Sequence, residues 1–203
     1  MQRVTAAVTP KGERRRYALV SAAAELLCEG GFDAVRHRAV AQRAGLPLAS
    51  TTYYFSSLDD LIAKAVEHVG SREAEQLHTQ VEGLPRRKRG AESTADVLVD
   101  LLVGSGPGTR ASEQLISRYE RYIACARQPL LRDVQRRMMK QRSEAVVEVV
   151  ERSGRSVHAE LLTALVCAVD GAVVASMVGD GEGPRASAKA TLIDVIDVLA
   201  PFD

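Results

Sequence analysis

Aromatic side chains are scarce in this chain, 4% of 203 residues, and tryptophan is absent. With Ala, Val and Leu dominating instead, that scarcity excludes a typical sandwich or barrel, whose strands draw on aromatic and β-branched residues, and favours helices packed on helices. A surplus of either charge is also missing. The 27 Lys and Arg stand against 26 Asp and Glu, so no global field draws the protein to nucleic acid, and any such affinity must rest on local charge. Cysteine is sparse: Cys28, Cys125 and Cys167 lie far apart among apolar or helical residues, read as small buried hydrophobes rather than a disulfide set, and suit a reducing cytoplasm. No uninterrupted apolar run reaches the roughly 18 residues of a bilayer span, and no charged-then-apolar leader opens the chain, so a soluble cytoplasmic protein without a membrane partner is expected.

Signatures of catalysis and of metal binding are lacking as well. The Gly-rich loop from Gly104 to Gly108 is followed by no Lys-Ser or Lys-Thr pair and sits between no strand and helix, so it is no phosphate cradle. There is no G-x-S-x-G elbow. His37, His68, His78 and His158 show no zinc spacing with the cysteines, and Glu75-x-x-His78 is half of a di-iron pattern with no second copy. No enzyme, metal or cofactor is expected. The basic run Arg86-Arg87-Lys88-Arg89, flanked by Pro85 and Gly90, reads as a solvated loop rather than a second nucleic-acid patch.

What the chain does contain is concentrated between Gly31 and Phe55. Val35, Ala39, Val40 and Ala44 form one apolar face of a short helix, and Gly45 can take the positive φ that ends it. Pro47 suits the first position of a second helix, Pro47 to Tyr54, since its missing N–H would have no intrahelical partner there. Two short helices joined by a Gly-containing turn are the helix-turn-helix pattern. Ser50, Thr51 and Thr52 are small enough for close approach to a duplex, and Tyr53 and Tyr54 carry hydroxyls that reach phosphate or base edges. One ring must plug so small a head; Phe55 is expected to do so, with Tyr53 facing outward. The flanks are basic: Arg3, Lys11, Arg14, Arg15 and Arg16 precede the motif, and Arg36, His37, Arg38 and Arg43 lie within it, against Glu13, Glu25, Glu29 and Asp33.

These residues resemble the tetracycline-repressor (TetR) family of bacterial transcription regulators. RRRYALVSAAAELLCEGGF is similar to the family's first helix, Ala39-Val40-Ala41 and Ala44-Gly45-Leu46 to its second helix and turn, and Ser50-Thr51-Thr52-Tyr53-Tyr54-Phe55 to its recognition helix. Ser56-Ser57-Leu58-Asp59-Asp60-Leu61 resembles the start of the connecting fourth helix. The chain departs from the pattern at Arg36 or His37, where the family often has Thr, at Pro47, where it often has Ser, and at Leu58, where it often has Lys. The resemblance implies an all-α protein with a helix-turn-helix head at 1–56, including a basic arm at about 1–12, and a helical effector-binding and dimerisation body at 57–203. It further implies a ligand-responsive bacterial regulator, most often a repressor, that binds a near-palindromic double-stranded operator as a homodimer. Arg36, His37, Arg38, Leu48, Ala49, Ser50, Thr51, Thr52, Tyr53 and Tyr54 are the expected DNA contacts. The alternative is a helical small-molecule or partner-binding protein whose head reads no DNA.

The remainder reads as amphipathic helices separated by Gly, Pro and Ser. Ser57, with Asp60 three residues on, can cap a long helix carrying Leu58, Leu61, Ile62, Ala65, Val66 and Val69 on one face. Helices follow at about 93–103, before Pro129, and up to Gly154. A strongly apolar one is expected from Ala159 to Val178, interrupted at Asp170-Gly171, and a last one carries Leu192, Val195, Ile196 and Leu199. A helix apolar on most sides wants partners on most sides. The resemblance supplies them as symmetry mates in a four-helix bundle, which makes Leu162, Leu165, Val166, Val169, Val173, Met177, Leu192, Ile196 and Leu199 the expected dimer interface. Tyr119, Tyr122 and Cys125, followed by Met138 and Met139, concentrate aromatic and sulfur side chains mid-chain; Tyr119, Tyr122, Cys125 and Met138 are the expected lining for an uncharged or weakly charged, largely apolar effector.

Overall fold

In the computed structural model, residues 9–104, 109–179 and 181–202 are described, apart from the side chains of 109–111. Arg3 of the expected arm and most of the Gly104–Gly108 loop lie outside the described residues. Among those residues there are nine helices and no strand. They are α1 (Pro10–Ala34), α2 (His37–Arg43), α3 (Ala49–Tyr54), α4 (Leu58–Glu82), α5 (Ala91–Leu102), α6 (Thr109–Arg127), α7 (Pro129–Arg152), α8 (Ala159–Ser176) and α9 (Pro184–Leu199). The chain is all-α, as its composition and periodicity indicate.

Packing divides it into two units, along a line other than the expected boundary at residue 56. One holds the chain up to Ser71 together with Ser112–Gln135, the other Arg72–Ala111 with Arg136 onward. In the first, Leu19, Ala23 and Leu27 of α1 are buried, as are Val35, Val40, Phe55, Leu61 and Ala65. Burial of these apolar side chains at a spacing of three and four is what holds so short a set of helices. The start of α1 is set locally, by Pro10 at its first turn and by Thr9, whose Oγ1 accepts from the Gly12 amide at 3.1 Å. Ser57 starts α4, its Oγ accepting from the Asp60 amide at 3.1 Å. The reciprocal bond is displaced by one residue, since the Asp60 carboxylate accepts from the amide and hydroxyl of Ser56.

In the second unit α8 packs along α9, and α9 also against α5. Leu98, Leu102, Val146, Val150, Leu165, Val169, Val173, Leu192 and Ile196 are its buried apolar residues. Lys189 of α9 pairs with Asp96 of α5 at 2.7 Å, and Arg185 with Asp100 at 2.7 Å. α8 is not interrupted at Asp170-Gly171; it runs straight through. Asp170 is carried inside because Arg142 of α7 takes both its oxygens, at 2.9 and 2.6 Å, and Gly171 keeps helical backbone. By length and composition alone α8 matches a bilayer-crossing helix, yet it carries this ion pair and packs one face on α9.

The basic loop after α4 divides in its behaviour. Arg86, Arg87 and Lys88 are exposed as expected, with Arg86 on Glu148 at 3.0 Å. Arg89 is instead buried, donating to the carbonyls of Pro85 at 2.8 Å and Arg152 at 3.0 Å, and burial lowers its pKa. Arg155, also buried, donates to Arg89 and Ala200 carbonyls, pairs with Asp197 at 2.8 Å and stacks 3.9 Å from the Phe202 ring centre. Two buried arginines thus tie the loop at 83–90, the end of α7 and the chain's last residues into one knot.

Candidate functional site

The helix-turn-helix is assembled by backbone geometry at three glycines. At Gly30 and Gly31 the first helix breaks, Gly31 adopting φ 64° and ψ −162°, which redirects the chain into α2. Gly45 adopts φ 64°, and the amides of Gly45 and Leu46 close back onto the carbonyls of Gln42 and Ala41 at 3.2 and 2.9 Å. That pair of bonds is a Schellman closure, with Gly45 at its left-handed position. The turn falls at Gly45-Leu46, as the sequence indicates. α2 and α3 are shorter than the stretches Val35–Ala44 and Pro47–Tyr54 by one or two residues at their ends, the usual place for such differences.

The structure sorts the expected DNA contacts into two groups. Leu48 is 53% exposed and Tyr53 72% exposed; Arg36, Arg38, Ala49 and Thr52 are also exposed, and Ser50 and Tyr54 half-buried. Tyr53 does face outward and Phe55 fills the core, its ring 5.6 Å beneath the Arg16 guanidinium. The Tyr53 and Tyr54 rings meet edge to face at 4.9 Å, which steadies the outward ring. Thr51, by contrast, is fully buried, its hydroxyl donating to the Leu48 carbonyl at 2.8 Å. It is a core residue of the head, not a reader of bases, because the side of α3 it occupies is the one packed inward. His37 is half-buried, its Nδ1 without a hydrogen-bond partner among the described residues.

Arg43, one of the four basic residues of the motif, is withdrawn from the surface field. It grips Glu29 with two bonds, at 3.1 and 2.7 Å, and Glu25 with a third at 3.3 Å, and Glu29, then Glu25, hold its pKa above the ordinary value. Besides Arg43, the exposed cations of the described stretch from α1 to α3 are Lys11, Arg14, Arg15, Arg36 and Arg38.

On α6, Tyr119 and Tyr122 are both half-buried with ring centres 5.6 Å apart, and Cys125 is buried, which raises its thiol pKa. Met138 is buried too and belongs to the second unit. Polar residues not anticipated from sequence are buried here: Ser117 and Arg121 on α6 and Gln135 on α7. Ser117, Arg121 and Cys125 recur every fourth residue, a spacing that does mark one side of a helix and was the available signal. Gln135 is 7% exposed, and neither its Nε2 nor its Oε1 has a hydrogen-bond partner among the described residues.

Of the nine residues expected at a dimer face, Leu165, Val166, Val169, Val173, Leu192 and Ile196 are buried within a single chain, and Leu162, Met177 and Leu199 are half-buried. The faces of α8 and α9 left open are different ones: Ala164, Cys167, Gly171, Val174 and Val178, and Ala190, Ile193 and Val198. Packing of α8 on α9, and of α9 on α5, takes the more apolar sides first.

Two families match the chain. The one described as "Bacterial regulatory proteins, tetR family" covers residues 19–65, and "Tetracyclin repressor-like, C-terminal domain" covers residues 89–198. Among solved structures, the multidrug binding protein EbrR complexed with proflavin is 26% identical with TM-score 0.66, over 90% of this chain and 99% of that one. A TetR-family member from Streptomyces coelicolor A3 is 26% identical with TM-score 0.59, over 89% and 97%. A candidate transcriptional regulator from Saccharomonospora viridis, in complex with choline, is 17% identical with TM-score 0.72, over 93% and 98%, a likeness of fold. No curated protein matches the chain.

Proposed function

Because the chain belongs to the TetR family of bacterial regulatory proteins, we propose that this transcriptional regulator is a repressor that grips a near-palindromic operator as a homodimer and releases it when a small molecule enters its helical body. The observation that carries the reading is α3, a six-residue helix that exposes Tyr53 and is preceded by the exposed Leu48, in a head whose Arg36 and Arg38 are exposed as well. Exposed apolar and aromatic residues on so short a helix have no role in the fold of one chain and suit a groove. The cations supply the phosphate contacts that set register.

The dimer is formed by the open faces of α8 and α9, with Val174, Val178, Ile193 and Val198 as its apolar centre. Two heads then meet successive major grooves roughly 34 Å apart. The effector is a small, largely apolar molecule that lies against Tyr119, Tyr122 and Cys125 and offers one polar group to the Gln135 amide, whose buried donor and acceptor otherwise go unused. The dye and choline complexes of the similar structures support a small organic ligand.

The test is a mobility-shift titration of duplex DNA selected from fragmented bacterial genomes, repeated at several salt concentrations. Specific retention whose affinity falls linearly on a log–log plot with salt is expected. Absence of any retained duplex, or retention insensitive to salt, overturns the reading.

A further inference from the structure

The bases this head can read are limited by what α3 lacks. From Pro47 to Tyr54 there is no Arg, Lys, Asn, Gln, Asp or Glu. In the major groove guanine is read by the fork of Arg or by Lys, adenine by the amide of Asn or Gln, and cytosine by a carboxylate. None of these is available. The hydroxyls are partly committed as well: Thr51 is buried and donates to Leu48, and Thr52 donates to the Ala49 carbonyl at 3.2 Å. At the end of α2, Arg43 is held by Glu29 and Glu25. Arg36, just before α2, donates its Nε to the Asp33 carbonyl at 3.0 Å, and Arg38 lies on α2, the helix that crosses the sugar–phosphate backbone in this motif.

What α3 presents is apolar surface, Leu48, Ala49 and the ring of Tyr53, with single hydroxyls at Ser50 and Tyr53. The one base feature in the major groove that rewards apolar surface is the C5-methyl group of thymine. We infer that the head selects its operator through thymine methyl groups, packed against Leu48 and Ala49, and that α3 makes no two-bond contact to guanine or adenine. The inference rests on the reading of the chain as an operator-binding regulator. It makes Leu48 a specificity-determining residue.

The experiment is selection from a library of random duplexes, followed by resynthesis of the enriched duplex with deoxyuridine for thymidine, or with 7-deazaguanine for guanine. Removing one packed methyl lowers affinity about fourfold, so loss of one per half-site lowers it about fifteenfold. The uridine duplex is therefore expected to bind at least that much more weakly, and the 7-deazaguanine duplex to bind as before. Leu48→Ala should weaken binding to the thymidine duplex and shrink the difference between thymidine and uridine, with the part carried by Ala49 remaining. Because Leu48 is 53% exposed, the variant retains the fold. Equal affinity for thymidine and uridine duplexes overturns the inference, as does a loss with 7-deazaguanine exceeding that with uridine. Both of those results leave operator binding standing. Failure to enrich any duplex overturns operator binding and the inference together.

Discussion

Single residues in this protein divide into those whose backbone is special and those whose side chain is. Gly45 holds φ 64° with nothing within 4 Å of where a Cβ would sit, so Gly45→Ala meets strain alone. It should cost about 1 kcal/mol, measured by denaturant unfolding, with Gly45→Asn costing less because Asn tolerates the left-handed region. Gly31 has the same φ but ψ −162°, backbone essentially reserved for glycine, whereas the Glu120 carboxylate tip 2.9 Å from an added Cβ can swing aside. Gly31→Ala should therefore cost more, about 3 kcal/mol. On the recognition helix, Tyr53→Ala should weaken operator binding while circular dichroism stays unchanged, since its ring is largely exposed. Thr51→Val should instead shift the melting temperature and leave sequence preference alone. Its hydroxyl bonds only its own helix, and no base edge can reach it.

At the scale of elements, helices in the second unit are tied by arginines as much as by apolar faces. Arg142 is nearly sealed and leans on both oxygens of Asp170, which joins α7 to α8. Asp170→Ala removes the carboxylate that takes two bonds from the buried Arg142 and should destabilise by about 3 kcal/mol. Replacing both, Arg142→Met with Asp170→Leu, should recover most of that loss, because shape is kept and no charge is stranded. A calorimetric comparison of single and double variants checks this. If the single variant melts like the wild type, the pair has no structural role.

For the whole molecule the proposed dimer turns on which face of α8 and α9 would meet a second copy. Val173 is fully buried in one chain, so Val173→Asp should unfold or aggregate the protein rather than yield a folded monomer. Val174→Asp and Val198→Glu, on the open face, should yield folded monomers with weakened operator binding, seen as halved mass in sedimentation. Cys167 lies on that same face and is exposed in a single chain. It should resist alkylation in the dimer and react readily in the Val174→Asp variant, whereas Cys125 should react only on unfolding. A wild-type protein that sediments as a monomer at micromolar concentration would refute the dimer. An effector that lowers DNA affinity by a given factor must itself bind the DNA complex more weakly by that same factor.

Local chemistry determined much of this from sequence alone. The positive-φ turn at Gly45, the cap at Ser57, the outward Tyr53 and the inward Phe55 all follow from residue type and spacing, because each depends on neighbours within one or two turns. The tertiary structure decided what long-range pairing decides. Arg43 is taken up by glutamates 14 and 18 positions away. Asp170 stays inside an unbroken α8 because Arg142 neutralises it from another helix. The same holds for α8 and α9. Their hydrophobicity says that they need partners on several sides, but periodicity is blind to which side an intramolecular neighbour will claim. Packing against α5 and against each other claimed the richest faces, leaving Val174, Val178, Ile193 and Val198 outward.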